Sequence, residues 1–91
     1  MQFIVVKAQD RTKKNHSFLY GVDVFINGQV NGKTGIPIKL DEGWVNISVD
    51  RPGAIPLDVN VQNTTVDNPL EVVILVNGQV INGGNQGVAN A

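Results

Sequence analysis

The sequence predicts an all-β fold, a sandwich of six or seven short strands, and three observations carry that expectation. Apolar and polar residues alternate at period two through most of the chain, as in Val22, Val24 and Ile26 against Asp23, Phe25 and Asn27. No window shows an apolar stripe at helical spacing. Glycine and proline, ten and four in number, punctuate every candidate window, and turns recurring every ~8–12 residues are the signature of a sandwich or barrel.

Taken in order, Gln2 to Gln9 opens as a β-branched strand, and Asp10 to Ser17 is a polar loop. The sequons Asn15-His16-Ser17, Asn46-Ile47-Ser48 and Asn63-Thr64-Thr65 follow from an asparagine-rich composition. Gly21 to Asn27 is the second strand, ending on Asn27-Gly28, the strongest short hairpin signal in the chain. Because Gly32 and Gly35 follow, the connection is expected to be a longer loop, from Gly28 to Gly35. The third strand, Ile36 to Leu40, turns Ile36, Ile38 and Leu40 inward. Pro37 cannot donate to a ladder, so this strand, or the first, is expected at a sheet edge.

Asp41-Glu42-Gly43 is a tight turn. Trp44 to Asp50 then points Val45, Ile47 and Val49 inward, and Trp44, Asn46 and Ser48 outward. Arg51-Pro52-Gly53 turns into Ile55 to Val61, whose Ile55, Leu57, Val59 and Val61 are expected inside. A bridge is expected around Thr65-Val66, and Leu70 to Val76 reads as a strand buried on both faces. Asn77-Gly78 leads to a short strand at Gln79 to Ile81. Residues 1–82 are expected to form one domain, and 83–91 a Gly/Asn-rich disordered tail.

Composition limits the chemistry. The chain has 91 residues, of which 16% are charged, low against the usual ~25%. It has no cysteine, so disulfide and thiolate chemistry are excluded. The net charge of −1 divides unevenly. Residues 1–20 set Lys7, Arg11, Lys13 and Lys14 against Asp10, and the acidic side chains lie almost wholly beyond them. The single histidine, His16, sits in the basic loop, too little for a catalytic triad or a histidine-based metal site. Asp41, Glu42, Asp50 and Asp58 could meet at one end of a sandwich around calcium, but no EF-hand-type loop is present. Gly32-Lys33-Thr34 matches the end of a phosphate-binding loop, yet the preceding glycine is one position too close and strand rather than helix follows. Neither an enzyme, a cofactor nor a metal site is therefore expected. The few cations of an otherwise acidic domain argue against nucleic acid. Phe3-Ile4-Val5-Val6 is too short for a signal sequence or a membrane span, so a complete chain would be cytoplasmic, with no membrane insertion.

Two aromatics stand apart. Alternation turns Phe25 and Trp44 away from the valine and isoleucine face, among polar neighbours. Exposed aromatics on a sheet anchor a partner protein or stack on a sugar ring. The candidate surface is Phe25, Trp44, Asn46 and Asn31, with the partner a protein or a second copy of the chain. The alternative is a carbohydrate held on Trp44 with Asn31 and Asn46 as hydrogen-bonding neighbours. Against both stands a minor core closed over these rings by the loop Asp10 to Tyr20 or by the tail.

Between Gly21 and Gly53 the pattern resembles the PEGA family of small bacterial β-sandwich modules. The resemblance lies in Val22 to Gly28, then Gly32-Lys33-Thr34, Ile36 to Leu40, Gly43, and Val45 to Val49 before Gly53. The family's Thr-Pro step is interrupted here by Gly35 and Ile36, and Ala54 stands where an aromatic is usual. The pattern is similar in the same way to carboxypeptidase-regulatory and transthyretin-like domains. The resemblance implies an antiparallel Greek-key sandwich, prealbumin- or immunoglobulin-like, serving as a non-catalytic interaction module.

Overall fold

A computed structural model describes residues 1–12, 14–15 and 17–77. The expected strand at Gln79 to Ile81, the end of the domain near residue 82 and the tail lie outside them, as does His16. The described chain is all-β: β1 (Gln2–Asp10), β2 (Phe18–Leu19), β3 (Asp23–Ile26), β4 (Gln29–Lys33), β5 (Ile38–Leu40), β6 (Gly43–Val49), β7 (Leu57–Val61) and β8 (Leu70–Val76). That is eight strands where six or seven are expected, because two short pieces are added: β2, between the expected polar loop and the expected second strand, and β4, within the expected loop from Gly28 to Gly35.

The strands make two four-stranded sheets. In the first, β1 is central. It pairs antiparallel with β2 at its C-terminal end and with β5 at its N-terminal end, and parallel with β8 along most of its length, from Ile4↔Leu70 to Asp10↔Val76. The first strand is therefore an interior strand rather than an edge, and the sheet is mixed rather than antiparallel. The second sheet runs β4-β3-β6-β7, antiparallel throughout. Past the end of β6 the chain leaves this sheet, and Gly53 to Ile55 lie along β8: Asn77 N–H donates to Gly53 O at 3.1 Å and Ile55 N–H to Leu75 O at 2.9 Å.

One apolar core draws on both sheets. Ile4, Val6, Ala8, Ile38, Val72 and Ile74 come from the first, and Val24, Ile47, Val49 and Val61 from the second, all buried. Period-two alternation put these side chains on one face of each strand, and burying them is the main favourable term in folding. Alternation overreached in three places. Ile36 is 57% exposed because the strand starts only after Pro37. Ile55 and Leu57 are both 45% exposed, at a margin of the core that no strand among the described residues covers. Strand β8 buries Val72, Ile74 and Val76 but leaves Val73 open and Leu75 partly so, which makes it one-sided.

The turn at Asn27-Gly28 is tight. Both residues have positive φ, 51° and 83°, as a type I′ hairpin requires. Gln29 therefore pairs at once with Ile26, and β4 occupies what was expected to be loop, with a bulge opposite Val24. Residues 65–68 form a closed turn, Thr65 and Asn68 exchanging N–H to C=O bonds, in place of the expected bridge.

Where the chain passes from β4 to β5, Thr34 is 1% exposed and fully partnered. Its Oγ1 donates to Leu19 O at 2.9 Å and accepts from Val22 N–H at 3.1 Å, while its own N–H donates to Val22 O at 2.8 Å. Next to it, Gly35 N–H donates to Val6 O at 2.9 Å, filling the gap along β1 between β2 and β5. Gly35 has φ of 85°, and a Cβ there would lie 2.7 Å from the Tyr20 ring, so the position takes only glycine without rearrangement.

Candidate interaction face

On the outer side of the β4-β3-β6-β7 sheet, cross-strand register sets the neighbours of each expected site residue. Phe25 sits between Val30 of β4 and Ser48 of β6. Trp44 lies opposite Asn60 of β7, and Asn46 opposite Asp58. Trp44 is 71% exposed and Val30 61%, while Phe25 is half-buried. The loop Asp10 to Tyr20 pairs with β1 in the other sheet, so it does not close over Trp44.

Phe25 and Trp44 share this face without touching as one cluster. Phe25 faces Ser48, four positions from Trp44 on β6, which is ~13 Å along a strand. Asn31 is farther away still, in the bulge of the outermost strand β4. The immediate surroundings of Trp44 are instead Asn60, Asn46 and Asp58. These are joined by hydrogen bonds: Asn46 Nδ2 donates to Asp58 Oδ1 at 3.0 Å, and Gln62 Nε2 to Asn60 Oδ1 at 3.1 Å. Asn60, Asp58 and Gln62 were legible from the alternation of Ile55 to Val61, but only strand order places them beside Trp44. At the opposite end of the face, Lys33 Nζ and Asp23 Oδ1 pair at 2.5 Å.

The outer side of the other sheet centres on Lys7. Its ammonium lies 2.6 Å from Glu71 Oε2 and 5.6 Å from the centroid of the Phe18 ring. The hydrogen bond to Glu71 and the charge of that carboxylate hold the Lys7 pKa above the ordinary lysine value, against a smaller opposing effect of desolvation. A lysine whose folded pKa is raised adds stability fully present below its unfolded value and lost as pH climbs through the folded one. The contribution therefore fades only in strong alkali. By NMR, Glu71→Gln is expected to bring the titration of the Lys7 side chain back down toward that of a free lysine. An unchanged midpoint would mean that the pair does not persist in solution.

Asp10, at the start of the basic loop, accepts from the Thr12 N–H at 2.9 Å and from the Thr12 hydroxyl. Among the described residues, no three histidine, aspartate or glutamate side chains gather as a metal ion would require, so the structure does not bring Asp41, Glu42, Asp50 and Asp58 into one site. Nor, among the described residues, is any helix long and apolar enough to cross a membrane. Set against models of known protein families, curated proteins and solved structures, the chain matches none.

Proposed function

We propose that this chain is a non-catalytic interaction module that binds protein, either a partner or a second copy of itself, through the outer face and edges of its β4-β3-β6-β7 sheet. The observation that carries this reading is Trp44, a large apolar ring 71% exposed on a regular strand. Aromatic rings dominate the energetics of protein contacts, because they bury a large area at small cost in conformational entropy. We further read the two sheets as a face-to-face Greek-key sandwich of PEGA-like type. The single core fed by both sheets supports this, as do the glycines of the resemblance, Gly28, Gly32, Gly43 and Gly53, all of which have positive φ.

The test is Trp44 fluorescence, with acrylamide quenching, over a range of protein concentration. The chain has one tryptophan, so the signal has a single origin. Quenching when dilute that declines when concentrated identifies self-association over this face. Quenching at every concentration leaves the face free for another protein, which a pull-down should then retain and Trp44→Ala lose. A blue-shifted, protected signal at the lowest concentration would sink the proposal.

A second reading has its own support. Beside Trp44 the surface is a row of amides and one carboxylate, Asn46, Asp58, Asn60 and Gln62, held by side-chain hydrogen bonds. A ring flanked by fixed amides suits a neutral sugar. A ligand that binds only the folded state raises the thermal midpoint. A saccharide panel that leaves the midpoint unmoved would eliminate this reading.

A further inference from the structure

Strand β7 is built to pair with itself, and we infer that two copies of this chain associate through antiparallel β7–β7 pairing about Val59. The inference rests on the interaction-module reading and names the partner for one edge of the same sheet.

The argument begins with which edges are protected. An open edge offers unpaired N–H and C=O groups, and native sheets blunt it with brevity, proline, lysine or a bulge. Strand β4 has a bulge and ends on Lys33. Strands β2 and β5 are two and three residues long. The C-terminal part of β8 is covered by Gly53 to Ile55. Strand β7 has none of these devices, and its one charged side chain, Asp58, is drawn back toward β6 by Asn46. Its five residues, Leu57 to Val61, hold unbroken register with β6 and include no lysine or proline, and among the described residues no strand pairs on its far side.

Hydrogen-bond direction then shows what that edge presents. Asn27 N–H donates to Asn46 O at 2.8 Å, and Asn46 N–H donates to Asn27 Oδ1 at 2.9 Å, so the main chain of Asn46 faces the β3 side. Alternate residues of an antiparallel strand face opposite neighbours. Val45 and Ile47 consequently face β7, where their partners are Val59 and Leu57. The N–H and C=O groups of Asp58 and Asn60 are left pointing out of the open edge.

Side chains select the register. Pairing must match inner face to inner face, so the two-fold axis passes through a residue. Centred on Asp58, it sets two carboxylates directly opposite, which is destabilising. Centred on Asn60, it leaves Leu57 facing Asn63, which has φ of 57° and lies beyond the strand. Centred on Val59, all five residues pair. Asp58 faces Asn60 of the second copy in a hydrogen-bonded pair, Leu57 faces Val61, and the two Val59 side chains meet. This register also covers Leu57, left 45% exposed in the single chain.

Sedimentation velocity over a concentration series, with single substitutions, tests it. The wild-type chain is expected to move from monomer to dimer as concentration rises. Asn60→Asp sets like charges opposite at two symmetric places and should raise the dimer dissociation constant roughly tenfold, an effect that salt diminishes. Asn60→Pro removes an outward donor without touching the β6 ladder, and should abolish the dimer with the far-UV circular dichroism preserved. Val59→Cys, in a chain with no other cysteine, should form a disulfide-linked dimer on mild oxidation, since non-hydrogen-bonded antiparallel pairs hold their Cα atoms within disulfide reach. A chain that stays monomeric at all concentrations overturns the inference. So does a dimer indifferent to Asn60→Asp but lost in Trp44→Ala, and that result would leave the Trp44 face standing as the interaction surface. Cross-linking through Asn60→Cys in place of Val59→Cys overturns the register.

Discussion

Thr34→Val is expected to lower the free energy of unfolding by about 1–3 kcal/mol, although it exchanges one side chain for another of nearly the same shape. The hydroxyl of Thr34 satisfies two main-chain groups at once, accepting from Val22 N–H and donating to Leu19 O, in a position 1% exposed. Valine would leave Val22 N–H without a partner where water cannot reach, at a cost of about 1–3 kcal/mol, while Leu19 O keeps its place in the ladder with Ala8. Thr34→Ser is the control: it keeps the hydroxyl and loses one methyl, for about 1 kcal/mol. Urea denaturation followed by Trp44 fluorescence compares the two. Should valine cost no more than serine, the corner would owe nothing to its hydrogen bonds.

Ile4→Ala is expected to cost more, about 3–5 kcal/mol, because it opens a cavity where relaxation is hardest. Ile4 is wholly buried and lies in register with Ile38 of β5 on one side and Leu70 of β8 on the other. A chain of this length has a total stability of about 5–14 kcal/mol, so the substitution removes a large share of it. By the usual scaling the thermal midpoint should fall by more than ~10 °C. Leu57→Ala removes a similar side chain from an exposed margin of the same core, and should cost the isolated chain less than ~1.5 kcal/mol. Equal losses at the two positions would mean that the core is not centred on β1.

The strands that sequence reads well are those whose surroundings repeat their own alternation. Strand β8 has the expected bounds, Leu70 to Val76, and Trp44 emerges on the outer face as its spacing from Ile47 and Val49 requires. The misreadings have physical causes that no local pattern carries. Local pattern places Gly32 in a long loop, whereas it sits in a strand bulge so close to Ile38 that a Cβ would lie 2.7 Å from it. That is a tertiary reason for glycine. Leu57 falls on the inner face as alternation demands, but whether a face is covered depends on the sheet opposite. Of the candidate surface, the outward direction of Phe25, Trp44 and Asn46 was legible, while its grouping was not. Asn31 parts from Trp44, and Asn60 and Asp58 join it, through strand order alone.

The central place of β1 also bears on the order in which the molecule can form. Its parallel partner β8 and the loop that pins its beginning both come from far along the chain: Thr64 Oγ1, which accepts from Phe3 N–H, is 61 positions away. Closing so long a loop costs entropy before any contact rewards it, and folds dominated by such pairings take milliseconds to seconds. During synthesis β1 can meet β2 and β5 early, but one whole side of it stays unpaired until β8 has emerged. For that interval the growing chain carries an open, strongly apolar strand, Phe3 to Val6, of the kind that aggregates or recruits a chaperone. Strand β8 is thus the latch of this fold, and truncation ahead of Leu70 would leave a sticky half-sheet rather than a smaller domain.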